Sequence, residues 1–388
     1  MWINKFKLKR NNKVSLIKRT FLCFIIVFAF ISVLSIKFNK IGTKLLDLNN
    51  GDYYYYGDLY ELSKLNDFKD KIPVDKKKLD DISIYDSNII TMGDSFLEAN
   101  FGSATLPYLL NEASNKKVYH LSRNDFLKYN DNPITFLKSI DYKKGDKKYL
   151  VLETVERYAL ERSVSYIEAI DTSYDGFETN DTINSVNTSL NVADRSSAGI
   201  SPIKNHSYKN IIAKIKGAFD SNKFDYFFYN NKLFSPIDKL NKNFRFKLLD
   251  ELEKATPKYS NDLDMLFYVE DINFNNLDIQ SESINMFANN IARLQDTLLE
   301  DYNIELIFVL IPTKYSIYGK YTKDYKLYND FIPRSYKELN KHNINTFDTY
   351  NLFINEDSIE DDLLYYKGDS HFTPRGKNLV LKHILALF

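Results

Sequence analysis

The sequence predicts an α/β fold, a parallel β-sheet with helices on both faces, preceded by an N-terminal transmembrane helix. Three observations lead there. From about residue 82 onward, short β-rich runs alternate with longer stretches of helical period, the rhythm that builds a parallel sheet. One run, Ile304–Ile311, is apolar at every position except Glu305, as a central parallel strand buried on both faces should be. A basic leader followed by an apolar segment opens the chain.

That leader comes first. Lys5, Lys7, Lys9, Arg10, Lys13, Lys18 and Arg19 precede any acidic residue, and residues 21–36 are apolar apart from Ser32 and Ser35. The positive-inside rule then makes 1–20 a cytoplasmic tail and 21–37 a signal anchor, with the rest on the extracytoplasmic face of the cell membrane as a single-pass protein. A bilayer core needs roughly 20 residues; Thr20 and the stems of Arg19 and Lys37 extend this span by snorkelling. No small-x-small cleavage site follows Ile36, where the chain reads Lys37-Phe38-Asn39-Lys40, so the anchor is expected to be retained. The lone Cys23 lies inside the apolar segment and leaves no disulfide framework.

Residues 38–80, polar and charge-mixed with a tyrosine run at 53–56, are read as a stalk. The folded domain follows over 81–388. Its expected strands are Ile89–Met92, 117–121, 149–153 and Ile304–Ile311, with helices from about Ser95 and over 134–140. Between about 160 and 280 the rhythm fails in a stretch rich in Asn, Ser and Thr, read as an insertion that shapes a substrate groove or covers the sheet. Ser283 then caps a helix whose apolar positions Ile284, Phe287, Ala288, Ile291, Leu294 and Leu298 keep the 3.6 period. A hydrophobic content of 44% is ample for a core, and 52 basic against 52 acidic residues leave no net charge to attract a polyanion; nucleic-acid binding has no support.

Two motifs carry chemistry. Gly93-Asp94-Ser95 follows the first strand and opens a helix, which sets Ser95 at the carboxyl end of a parallel strand, where open α/β sheets build their sites. Its own N–H can face a developing oxyanion. A serine there can also simply cap the helix, and the chain holds a second copy, Gly368-Asp369-Ser370, that follows no strand. A serine hydroxyl needs a base to take its proton, and a histidine base needs a carboxylate to fix its tautomer. Asp369 and His371 supply both from one loop, just before an apolar C-terminal helix. Asp-x-His is also metal-ligand spacing, but no second His or Cys cluster accompanies it, and no metal is expected.

The early Gly-Asp-Ser and late Asp-x-His resemble the first and last blocks of SGNH hydrolases. The wording from Lys367 to Gly376, Lys-Gly-Asp-Ser-His-Phe-Thr-Pro-Arg-Gly, is similar to the Asp-Thr-His-Trp-Thr-Pro-Arg-Gly motif of alginate O-acetylation (AlgX/AlgJ-like) proteins. The segments Val151-Leu-Glu-Thr-Val-Glu-Arg-Tyr158 and Ile311-Pro-Thr-Lys-Tyr-Ser-Ile-Tyr318 are similar to two further blocks of that family. The motif order is that of the plain SGNH enzymes, whereas the alginate proteins place the Asp-His block first. The Gly and Asn blocks of ordinary SGNH esterases are also absent, since strand 117–121 runs into Ser122-Arg123-Asn124-Asp125.

The resemblance implies an SGNH (flavodoxin-like) three-layer fold and a polysaccharide O-acetyltransferase with Ser95 as nucleophile, His371 as base and Asp369 as its orienting carboxylate. It makes Arg123 the oxyanion donor, with Asn124 in reserve. Glu153, Arg157 and Tyr158 are expected to line the site, with Tyr158 on acyl donor or acceptor, or to be structural, Glu153 and Arg157 as an i,i+4 pair; Lys314 is expected to meet an anionic sugar or cap a strand end. It implies no cofactor. The implied partners are an extracellular glycan acceptor and a membrane-bound O-acyltransferase that brings acetyl groups across the bilayer. A teichoic acid D-alanylation protein, a secreted carbohydrate esterase and a non-catalytic glycan-binding or assembly subunit are the alternative expectations.

Overall fold

A computed structural model describes residues 72–170, 262–356 and 362–388, with 24, 27, 54–55, 57–59, 256 and 258–260. The expected basic tail, nearly all of the anchor and residues 171–255 of the expected insertion lie outside the described residues. Among the described residues no helix is long and apolar enough to cross a membrane. The chain divides into a unit of residues 53–197 and 250–388, which holds every element below, and a unit of residues 1–52 and 198–249.

In the first unit, β1 (Tyr54–Tyr55) pairs antiparallel with β2 (Ile72–Pro73). Then come β3 (Ile89–Met92), α1 (Ser95–Glu98) and α2 (Leu106–Ser114). Thr105 caps α2, and Asn115, in the left-handed region at φ 52, ends it. Next are β4 (Val118–His120), α3 (Arg123–Phe126) and α4 (Pro133–Ser139); Asn132 caps α4 by accepting from the N–H groups of Ile134 and Thr135. β5 (Lys148–Val155) runs straight into α5 (Glu156–Ile170).

Beyond the undescribed stretch lie the hairpin strands β6 (Lys258–Ser260) and β7 (Met265–Phe267), then α6 (Val269–Asn275) and α7 (Ser281–Tyr302). β8 (Ile304–Ile311), α8 (Lys314–Tyr318), α9 (Phe331–Lys341), α10 (Thr349–Glu356) and α11 (Pro374–Leu385) complete the order.

β4, β3, β5 and β8 lie side by side in that order, every pair parallel. Period-two alternation sorts their side chains into two cores. Ile90, Met92, Leu150, Leu152, Leu306, Phe308 and Leu310 meet α4, α5, α7 and α9 on one face. Ile89, Val151, Ile307, Val309 and Ile311 meet α1, α2, α10 and α11 on the other. Each such side chain, fully withdrawn from water, stabilises the fold by about 1.5–3 kcal/mol. The result is the mixed α/β architecture that the alternating runs predict.

Three details differ from the sequence reading. α7 begins at Ser281 with Gln280 at its N-cap, so Ser283 lies within the first turn and caps nothing; the six predicted apolar positions are all buried. β8 stands last in the sheet rather than in its centre. Its outer edge is covered, because the Phe308 N–H donates to Asn345 O at 2.9 Å and Ile307 bridges to Asn345, and so a run apolar at every position but Glu305 is tolerated there. Folded structure also begins before Ile82: residues 57–59, inside the segment read as stalk, pack on the loop at 368–370.

Candidate active site

β3 ends at Met92, and the chain turns through Gly93 into α1. A Cβ on Gly93 would lie 2.6 Å from Glu153 Oε2 and 2.7 Å from its carbonyl oxygen, so only glycine lets the turn pass β5 this closely. Asp94 fixes the turn from below. Its carboxylate takes a bidentate bond from Arg162 on α5, at 2.7 and 2.8 Å, and accepts from the Val155 N–H at 2.8 Å. Burial alone would raise the Asp94 pKa; Arg162 and these bonds hold it below the ordinary carboxylate range. The Asp94 N–H donates in turn to Glu153 Oε2 at 2.6 Å. Burial and the Asp94 charge push Glu153 well above its usual pKa.

Ser95, the first residue of α1, is exposed. Its Oγ lies 2.7 Å from His371 Nε2, and His371 Nδ1 lies 2.7 Å from Asp369 Oδ1. The His371 N–H donates to the same carboxylate oxygen at 2.7 Å. Because an ionised carboxylate only accepts, Nδ1 carries the ring proton and Nε2 is left to accept from the serine. Asp369 is fully buried; burial opposes its ionisation, but the His371 charge and bonds, with Lys314, hold its pKa below the ordinary value. Burial would lower His371, yet Asp369 and then Asp58 outweigh it and raise the imidazole pKa. The rings of Phe96 and Phe101 flank the imidazole at 5.0 and 6.0 Å between centroids.

The Asp369 loop is a narrow return. Tyr365 bridges to Phe372, the Tyr366 N–H donates to His371 O at 3.2 Å, and Thr373 then caps α11. Lys314, which the sequence reading set against an anionic sugar or at a strand end, is 1% exposed. Its Nζ donates to the carbonyl oxygens of Tyr366, Lys367 and Asp369 at 3.1, 3.1 and 2.7 Å, which ties it to the loop and away from any substrate in solution. From α11, Lys377 reaches Ala99 O and, at 2.9 Å, Ala104 O, fastening the chain that follows α1.

The other predicted residues are placed as follows. Arg123 opens α3 after β4, its Nε 3.9 Å from Asp94 Oδ1 and its Nη1 paired with Asp131. It therefore belongs to the charged layer under Ser95, where Arg162 also meets Asp131 at 3.0 Å. Asn124 is exposed on the same short helix. The Tyr158 hydroxyl donates to Glu270 Oε2 at 2.6 Å, under the Arg157 guanidinium. Glu153 and Arg157 form no pair: Glu153 sits on β5 beside Asp94, while Arg157 donates to Asp271 at 2.6 Å, because α5 begins only at Glu156.

Sequence reasoning missed Asp58, Asp131, Arg162 and Lys377. Asp58, Asp369 and His371 bring one possible ligand atom each within 4.8 Å of one another. Those atoms are already joined to Ser95, to Ser370 and to each other, which makes the set a hydrogen-bonded relay rather than a cation cage.

A family model described as SGNH hydrolase-like domain, acetyltransferase AlgX, matches residues 265–386. That stretch runs from β7 through α11 and holds Lys314, Asp369 and His371; Ser95 and Arg123 precede it. No curated protein and no solved structure matches the chain. Over residues 265–386 the chain is thus similar to the SGNH hydrolase-like, AlgX type, and the match supports an enzyme of that acetyltransferase kind.

Proposed function

We propose that this protein is an O-acetyltransferase for an extracellular polysaccharide or cell-wall glycan, working through an acyl-enzyme on Ser95. The observation that carries the reading is the chain of 2.7 Å contacts from Ser95 Oγ through His371 to Asp369, set at the carboxyl end of a parallel strand. Ser95 Oγ attacks the acyl carbonyl while His371 Nε2 takes its proton, and the imidazolium formed faces Asp369. The proton returns to the leaving group, and a glycan hydroxyl, deprotonated by the same nitrogen, then takes the acetyl group from Ser95. Arg123, with the Ser95 N–H, stabilises the oxyanion, and Asn124 stands in reserve.

The basic leader and apolar segment support a single-pass anchor at 21–37, with residues 1–20 cytoplasmic and the catalytic domain outside. An enzyme so placed has no cytoplasmic acyl thioester within reach, so a membrane-bound O-acyltransferase partner delivers the acetyl group. The test is to incubate the purified chain with an activated acetyl ester or a sulfonyl fluoride and map the modified peptide. Label on Ser95 is expected; label on Ser370 instead, or none, overturns the reading. Loss of ester-linked acetyl from surface polymers on deleting the gene would identify the acceptor.

A further inference from the structure

We propose that Asp58 is a positioning residue for the Ser95-His371-Asp369 chain: the short strap at residues 57–59 locks the Asp369 loop and adds a second carboxylate that the imidazole faces. The inference deepens the acyl-transfer reading and rests on it. Four hydrogen bonds join the strap to the loop. The Asp58 N–H donates to Asp369 Oδ2 at 2.7 Å; the Ser370 N–H donates to Asp58 Oδ1 at 2.8 Å; the Ser370 hydroxyl donates to Asp58 Oδ2; and the Leu59 N–H donates to Gly368 O at 3.3 Å.

Each bond answers a need of the loop. Asp369 Oδ1 is taken by the two His371 donors, so the Asp58 N–H supplies the donor for Oδ2, which would otherwise lie buried at a cost of about 1–3 kcal/mol. Ser370 separates Asp369 from His371, and with both its donors on Asp58 the two functional residues cannot turn relative to each other. The strap reaches this depth through Gly57, at φ +100, where a Cβ would lie 2.2 Å from Gly368 O.

Asp58 also acts by charge. Its Oδ2 is 3.7 Å from His371 Nδ1, beyond a hydrogen bond but well inside Coulombic range. The groups facing the imidazole are Asp369 on its own loop, Asp58 on the strap, Ser95 on α1 and, opposing them, Arg157 on α5. Around them, Lys314 on α8 offsets Asp369, and Asp271 on α6 faces both Asp58 and Arg157. Asp58 therefore favours the imidazolium that forms when His371 takes the Ser95 proton. It also keeps free His371 protonated to higher pH, where the ring is no base.

The experiment uses the full chain with Asp58→Asn, Asp58→Ala and Gly57→Ala, and two readouts. The first is the titration of the His371 imidazole by NMR, its signal assigned with His371→Gln. The second is the pH dependence of Ser95 sulfonylation. Asn is isosteric, keeps the acceptor for the Ser370 N–H, can donate its amide N–H to a turned Ser370 hydroxyl, and loses the charge, so in Asp58→Asn both the His371 titration and the acid limb of Ser95 reactivity should move to lower pH. Asp58→Ala and Gly57→Ala loosen the loop and should cut the plateau rate on the order of 10²-fold. His371 titrating at the wild-type pH in Asp58→Asn would overturn the inference, as would a wild-type plateau in Asp58→Ala. Asp58→Asn keeps the test decisive where the alanine variants do not fold. If wild-type Ser95 takes no label, the acyl-transfer reading falls; the His371 titration needs no turnover and still decides whether Asp58 acts on the imidazole.

Discussion

The chain contains Gly-Asp-Ser twice, and the two copies are put to opposite uses. In the first, the aspartate is structural and the serine is presented: Asp94 is buried against Arg162 and the Val155 N–H, while Ser95 is exposed with its hydroxyl on His371. In the second, the aspartate faces the imidazole and the serine is tied down: Asp369 meets His371, and Ser370 gives both donors to Asp58. What differs is the backbone that enters each copy. A buried strand leads into Gly93 and a helix starts at Ser95, so the hydroxyl stands at the sheet's end; the second copy lies in a narrow return whose inner position is the aspartate. The tripeptide has no fixed role, and its flanks assign one.

The sharpest break of this asymmetry is at the first serine. On the proposed reading Ser95→Ala and His371→Ala should each lower acyl transfer by about 10⁴-fold or more, with the double variant hardly worse, because triad members act as a unit. Steady-state turnover of an activated acetyl ester measures this, and additive losses would make the residues independent binders. The first aspartate should instead show itself in stability. Arg162→Ala leaves Asp94 charged and buried, and chemical denaturation should report a loss of about 3–5 kcal/mol. Arg123→Ala, which removes the proposed oxyanion donor from the same charged layer, should lower turnover about 10²–10³-fold while the denaturation midpoint moves much less. The smallest effect belongs to the second serine. Ser370→Ala deletes one of its two bonds to Asp58 and should cost about 0.5–1.5 kcal/mol and less than about tenfold in turnover; a loss as deep as that of Ser95→Ala would exchange the roles of the two copies.

Much of this was legible in the sequence because it is periodic or contiguous. The alternating runs give the parallel strands, the six apolar positions of α7 give its buried face, and the strand before Gly93 separates the two tripeptides. What was not legible joins distant residues without a period. Arg162 meets Asp94 across 68 positions and Asp58 meets Ser370 across 312, and neither spacing marks the partners in advance. The supposed Glu153 and Arg157 pair failed for a related reason: the i,i+4 rule holds only inside a helix, and α5 starts between them. Lys314 was open to an anionic sugar or a strand-end cap because lysine is usually exposed; three carbonyl oxygens of one tight loop make its burial tolerable.

The contact between His371 and Ser95 spans 276 residues, and the ammonium of Lys377 on α11 holds the carbonyls at 99 and 104. Closing so long a loop carries an entropic cost that no local interaction offsets, so contacts of this range form late in folding. A chain that emerges N-terminus first can pair β3 with β4 and β5 long before α11 exists. Ser95 is then laid out early but lacks its His371 contact until residue 371 has arrived. The order also runs backwards under stress: fraying of α11 would release the loop at 99–104 and separate His371 from Ser95 while the sheet still stands, so on the proposed reading activity should disappear before any spectroscopic sign of unfolding.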